Sequence, residues 1–156
     1  MIEQAYGFIP FHVSNEGLKV FLIHQYGSSG DMLWTFPKGR GEDDESPIQT
    51  AVRELKEETD LVMSSYDKNK SVCRSYSFMR NGIAVEKTST YFIGYVSDTQ
   101  FVIQPEEVKE AGWFSIEEAR ARLTFPDYKK LLDDALSILD KWLKNSYNYA
   151  HMAAMV

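Results

Sequence analysis

One segment, residues 46–59, limits the folds open to this chain more than any other. Ser46 is a helix N-cap, Pro47 suits the first helical position, and Gln49 completes a capping box. Beyond it Ile48, Ala51, Val52 and Leu55 recur at helical spacing, which predicts a helix running to about Thr59 with one apolar face. A second face is acidic. Glu54, Glu57 and Glu58 stand at i, i+3 and i+4, so their carboxylates project as neighbours from one surface. Such a helix needs an apolar layer beneath it and either water or cations above its acids.

The flanking segments supply that layer. Residues 5–13 and 18–26 are apolar, aromatic and β-branched, and Ser14-Asn15-Glu16-Gly17 between them is a turn cluster, so they read as a β-hairpin. A loop spans Gly27 to Asp31. Trp34 to Pro37 forms a short extended piece, because Pro37 pushes Phe36 out of helical geometry. After the helix, 71–80 and 87–97 read as strands joined at Asn81-Gly82, 100–104 as a further short strand, and 111–114 as another. Ser115 and Glu118 form a second capping box opening a short helix to about Leu123. A third helix follows Pro126, with the stripe Leu131, Leu132, Ala135, Leu136, Leu139 and Trp142. The order strands, helix, strands, helix, helix predicts an α/β (α+β) domain over residues 1–145, with a mixed sheet and helices on its faces. The tail, 146–156, carries no pattern and reads as a frayed end or an oligomer contact.

The formal net charge is −6, opposite in sign to what a long nucleic acid requires, although a local basic patch remains compatible with it. Cys73 is the lone cysteine, so no intrachain disulfide forms, and its apolar setting reads as core. No apolar run approaches membrane-spanning length, and Met1 to Pro10 lacks the pattern of a secretory leader. The expectation is a cytoplasmic protein with no membrane partner, monomeric or homodimeric.

Carboxylate oxygens are hard ligands suited to Mg²⁺, Mn²⁺ or Ca²⁺. An acidic stripe alone is most often solvated surface. Here its spacing says more. Gly39 is followed after five residues by Glu45, and seven residues later by Arg53-Glu54-Leu55, Glu57-Glu58, Asp60 and Leu61. The run Gly39 to Leu61 resembles the Nudix box: Gly, five residues, Glu, seven residues, Arg-Glu-apolar, any, Glu-Glu, any, Gly, apolar. The departure is Asp60, where the family has a glycine that ends the helix in a left-handed conformation. Asp tolerates that conformation less well than Gly but better than most residues.

The resemblance implies a Nudix-type α/β/α sandwich and hydrolysis of a phosphoanhydride bond in a nucleoside diphosphate derivative, with Mg²⁺ as cofactor and Mn²⁺ as a substitute. It makes Glu54, Glu57 and Glu58 metal ligands, with the Lys38 backbone carbonyl a further donor. Gly39 lets the backbone approach metal and phosphates closely. Arg53 can pair with Glu57 and orient it, and Glu45 can hold Arg53 in place. Trp34-Thr35-Phe36-Pro37-Lys38-Gly39, Lys87 before Tyr91-Phe92, and Glu106-Glu107-Val108 are similar to segments of the diadenosine tetraphosphate hydrolase branch. That likeness makes Lys38 and Lys87 phosphate contacts and Glu107 a further ligand or base; Glu54 and Glu107 are the two candidates for general base. Trp34 and Trp113 read as core. Tyr76 and Phe78 can stack on adenine, yet their alternation with Ser75 and Ser77 is also what a half-buried strand produces. The expected substrate is a dinucleoside tetraphosphate cut to AMP and ATP. RNA 5′ ends, nucleotide sugars and oxidised nucleoside triphosphates are the other substrates a box of this kind admits. A catalytically silent nucleotide sensor is the reading that the intact carboxylates disfavour.

Overall fold

The computed structural model describes residues 1–27 and 30–144, the last three through their backbone alone. The tail assigned to 146–156, the Trp142 side chain and the oligomer contact considered for them lie outside the described residues. Gly17, at φ 112°, closes the expected hairpin between β1 (Ile2–Ser14) and β2 (Gly17–Tyr26). β3 (Met32–Thr35) pairs with β2, and β4 (Lys38–Arg40) pairs antiparallel with β1. After α1 (Pro47–Thr59) the chain returns as β5 (Ser65–Arg80) and β6 (Ile83–Tyr95), then β7 (Val108–Ser115), α2 (Ile116–Arg122) and α3 (Pro126–Lys144). The strands form one seven-stranded sheet in the order β3-β2-β1-β6-β5, with β4 on β1 and β7 on β2. β1 and β6 run parallel and the other pairs antiparallel, which makes the sheet mixed as expected.

Strand alternation sends successive residues of β1 to opposite faces. Ile9 and Phe11 join a core with Leu123 at the end of α2 and Tyr128, Leu132 and Ala135 of α3. Phe8 joins the other core with Ala51 and Leu55 of α1. Helices therefore cover both faces. Among the described residues none is long and apolar enough to cross a membrane.

The capping box at Ser46 is complete: its hydroxyl accepts from the Gln49 backbone, and the Gln49 side chain accepts from the Ser46 backbone at 2.9 Å. α1 ends at Asp60, which takes the left-handed conformation (φ 62°) in place of glycine. Its carboxylate adds a 2.6 Å pair with Lys56 one turn back. Both residues of the Asn81-Gly82 turn have positive φ, the requirement of a two-residue hairpin loop.

Several expectations are corrected. Lys38–Arg40 forms a strand that no pattern announced, and β5 and β6 both begin earlier than expected. Residues 100–104 are not a strand. The Val102 and Gln104 amides donate instead to the Thr59 and Glu58 carbonyls, the free acceptors at the end of α1. Cys73 is exposed rather than core, because Val72 takes the inward position of β5 and the odd residues from Ser71 to Met79 face out. Val52 is also exposed, leaving Ala51 and Leu55, with Ile48 partly buried, as the apolar face of α1. The capping box at Ser115 is half formed: its hydroxyl accepts from the Glu118 amide but donates to the Glu118 carboxylate.

Candidate active site

The acidic face of α1 lies against β4. Glu54 and Glu58, one turn apart, converge there with Glu107, and each of the three offers an oxygen within 4.8 Å of the others. Gly39 makes the approach possible: a Cβ at that position would sit 2.0 Å from the Glu54 carboxyl carbon. Glu107 arrives on the loop after residue 99, whose amides are anchored on the last carbonyls of α1, so helix and loop are positioned together.

This grouping is electrostatically unfavourable by itself. Burial pushes the Glu58 carboxyl up to about 9, and the Glu54 and Glu107 charges push the same way; Lys38 opposes them. Glu54 is also raised, by burial first, with Arg53 pulling it back. Glu58 Oε2 is buried without a hydrogen-bond partner. Among the described residues, these three are the acidic group with metal-ligating spacing. Oxygen donors on opposite sides of a Mg²⁺ or Ca²⁺ ion stand roughly 4–5 Å apart. The trio and its orphaned oxygen therefore fit a hard divalent cation.

Arg53 is the organiser beneath the trio. Its Nε and Nη2 grip Glu45 at 2.6 and 2.9 Å, Nη1 reaches Glu54 and Glu57 at 3.1 Å each, and Nη2 also donates to the Arg40 carbonyl at 2.9 Å. Hydrogen bonding from Arg53 holds the Glu45 carboxyl down at about 2, and the Glu42 amide and Thr50 hydroxyl assist. Glu57 stands outside the trio, exposed, on Arg53.

On the α3 side of the sheet the charge reverses. Lys38, half-buried, has its ammonium pushed down to about 8 by burial and by the neighbouring Lys87 charge, while Glu58 and Glu54 resist. Lys87 pairs in register with Tyr76 of β5. Tyr76 and Phe78 stack on each other with centroids 5.7 Å apart. They border a cleft of about 370 Å³ closed by Leu33, Arg74, Phe125 and Tyr128. Arg74 lies 4.2 Å over the Tyr76 ring and 4.8 Å over Tyr128, and pairs with Asp127 at 3.1 Å. Trp34 and Trp113 pack on the cores: Trp34 stacks on His24 and has the Arg122 guanidinium 5.1 Å from its ring centroid, and Trp113 donates to the Thr99 carbonyl.

Sequence reading missed Arg74, Phe125 and Tyr128 at this cleft. A signal for Arg74 existed, since Arg74, Tyr76, Phe78 and Arg80 alternate at period two and so share one strand face. Phe125 and Tyr128 carried none, because α3 meets β5 only through the tertiary fold.

The acidic face of α1 turns to the short strand β4, and a cationic and aromatic face lies beyond it. The NUDIX domain family matches residues 5–135, and the chain belongs to the Nudix family. A Mycobacterium tuberculosis protein assigned as mutator protein MutT4 is 32% identical over 120 residues, 77% of this chain and 48% of that protein. The mRNA-decapping protein g5R of African swine fever virus (a Kenyan pig isolate) is 24% identical over 151 residues, 89% of this chain and 59% of that one. The chain thus spans about half the length of these curated relatives. The pig asymmetrical bis(5′-nucleosyl)-tetraphosphatase is similar in size: 28% identity over 148 residues covers 89% of this chain and 97% of that enzyme. The solved Caenorhabditis elegans Ap4A hydrolase binary complex shares the fold, with a TM-score of 0.76 over 90% of this chain and 99% of that one at 19% identity.

Proposed function

We propose that this protein is a Mg²⁺-dependent hydrolase that cuts a dinucleoside tetraphosphate asymmetrically, releasing AMP and ATP from the diadenosine compound. The observation that carries the reading is the buried, unpartnered oxygen of Glu58 within a carboxylate trio, one strand away from Lys38 and Lys87. Glu54, Glu58 and Glu107 hold the cation, with Glu57 and the Lys38 carbonyl as further oxygen donors. A bound divalent ion neutralises phosphate charge and acidifies a water molecule.

The remaining roles fall to the chain itself. Lys38 and Lys87 neutralise and orient the phosphates. Arg53, clamped by Glu45, keeps Glu54 in one rotamer. Glu107, the exposed member of the trio, accepts the proton of the attacking water from its solvent side. Tyr76 and Phe78 give one nucleobase a stacking surface. The near-complete overlap with the pig tetraphosphatase supports this substrate class.

The test is a substrate panel with Mg²⁺, resolved by product: diadenosine tetraphosphate, a capped RNA, ADP-ribose and an oxidised nucleoside triphosphate. Release of AMP and ATP from the first supports the proposal, and inertness toward it rejects it. The likeness to g5R favours a second reading, attack on an RNA 5′ end, and preferential cleavage of the RNA would establish that one.

A further inference from the structure

Glu3 is a nearly buried carboxylate at the start of β1, and two arginines from different strands converge on it. Arg40 of β4 donates through Nη2 at 3.0 Å, and Arg80, at the tip of the β5–β6 hairpin, donates through Nη1 to the other oxygen. Lys87 is in register with Glu3 across the parallel β1–β6 pair and adds its field. One carboxylate thus gathers three cations, a local surplus of positive charge in a chain of net charge −6. A pair meant only to pin β1 would need a single arginine. The two guanidinium side chains remain 61% and 41% exposed, so donors not engaged by Glu3 face solvent.

The placement is equally specific. The Arg80 guanidinium lies 5.1 Å over the Phe78 ring, beside the aromatic cleft. Arg40 follows Gly39, whose backbone abuts Glu54, and its carbonyl is held by Arg53. The cationic group therefore begins at Lys38, which feels the Glu58 and Glu54 charges, continues through Lys87 to Arg40 and Arg80 around Glu3, and ends at Phe78. Guanidinium forks match phosphate oxygens and hold them in two-point contacts. Glu3 fixes both forks in advance, which reduces the ordering cost of binding.

We propose that Arg40 and Arg80, gathered by Glu3 beside Lys87, form an additional phosphate subsite that engages the nucleotide's phosphates distal to the carboxylate trio and selects for chains of three or more phosphates. This rests on the phosphoanhydride reading of the site. Lys38 and Lys87 match the charge of a short chain; the tetraphosphate presents negative charge beyond them, and the two arginines answer it.

Steady-state kinetics across the dinucleoside di-, tri-, tetra- and pentaphosphates tests this with Arg40→Gln, Arg80→Gln, the double variant and Arg80→Lys, each checked by thermal melting. Each glutamine variant should raise KM for the tetraphosphate roughly tenfold, the low end for a charge-assisted contact at a part-exposed site. kcat should stay within about threefold, and KM for the diphosphate should not move. Arg80→Lys should recover part of the loss. A KM rise that is equal at every chain length, or absent, overturns the proposal. Calorimetry with inorganic tripolyphosphate separates the two levels of inference. The double variant should bind it about tenfold or more weakly than the unmodified protein, whatever the substrate. Unmodified protein that binds tripolyphosphate in this way yet cleaves no dinucleoside polyphosphate disproves the substrate reading alone. Tripolyphosphate affinity unchanged in the double variant disproves the subsite.

Discussion

Replacing Gly39 with alanine adds one methyl group, and the structure says where it goes. The new Cβ would lie 2.0 Å from the Glu54 carboxyl carbon and 2.3 Å from both of its oxygens. Ordinary contact requires the carboxylate to retreat by about 1.4 Å. Gly39 is not among the positive-φ residues, so the backbone accepts alanine without strain. The obstruction is the end of a flexible side chain, so the protein gives way at Glu54 rather than unfolding. A displacement of about 1 Å in a catalytic group can cost on the order of 10²-fold in rate, or about 2.7 kcal/mol of transition-state stabilisation. Stability should change by no more than about 1 kcal/mol, because alanine also restricts the unfolded chain. Gly7 is the control. Its added Cβ would meet the Pro37 carbonyl oxygen at 2.0 Å and the Lys38 Cα at 2.8 Å, both backbone atoms that cannot rotate away. Gly7→Ala should therefore destabilise the fold by about 1–3 kcal/mol or more. The assays are initial rates on diadenosine tetraphosphate with Mg²⁺ and thermal melts of both variants. In Gly39→Ala combined with Glu54→Asp, the shorter acid relieves the clash, so the two losses should fall short of additive. Gly39→Ala that keeps its rate within threefold, or that melts as early as Gly7→Ala, would refute the reasoning.

Other outcomes follow from the same geometry. Arg53 lowers the Glu45 carboxyl to about 2, so this pair contributes stability that is fully present above the unfolded value near 4.5 and lost as pH falls toward 2; Glu45→Gln should flatten the acid limb of a melting-temperature profile over that window. Glu58 has the opposite sign. Raised to about 9, it keeps its proton when folded after the unfolded chain has lost it, so metal-free stability should fall as pH rises from about 4.5 to 9. Protons compete with cations for that carboxylate, so Mg²⁺ should raise the melting temperature more at pH 9 than at pH 6, and EDTA should abolish the difference; a Mg²⁺ effect independent of pH would contradict the assignment. Loss of one stacking surface costs about 1–3 kcal/mol of binding, so Tyr76→Ala and Phe78→Ala should raise KM roughly 5- to 150-fold with little change in kcat. An unchanged KM in both would remove the aromatic cleft from the substrate path.

Local chemistry explains how much of this was readable beforehand. The α1 boundaries, its cap, the two hairpins and the Asn81-Gly82 turn are dictated by residues close in sequence, and each appears where its residues require it. The helical period places Glu54 and Glu58 on one surface before any fold is known. What the sequence could not show depends on long-range contacts. β4 is three residues long and exists because β1 offers it a partner. The stretch 100–104 has strand composition, yet the free carbonyls of α1 capture its amides. Cys73 looks apolar in sequence, but α3 covers only one face of β5. The Glu3 cluster joins residues 37 and 77 positions apart, beyond any local pattern.

The two charged layers explain why the site needs both faces of one sheet. The trio is costly in the absence of a cation, and three neighbouring carboxylates would drift apart on a mobile loop. Here they are held in place by four features. The apolar anchor of Leu55 and Ala51 ties α1 to the sheet. The Arg53–Glu45 clamp fixes Glu54. The missing side chain of Gly39 leaves room for the Glu54 carboxylate. The hydrogen bonds from Val102 and Gln104 dock the Glu107 loop on the end of α1. On the proposed function, a nucleotide polyphosphate would be repelled by that face until a cation bound there, whereas Lys38, Lys87, Arg40 and Arg80 would attract it from the other. The cationic and acidic faces meet at the strand Lys38–Gly39–Arg40: alternation sends Lys38 and Arg40 to one face and leaves Gly39 open to Glu54 on the other. Inserting one residue ahead of Lys38 would exchange the two faces, turning the lysine toward α1 and moving the glycine gap away from Glu54, and the proposed metal and phosphate contacts would be lost together.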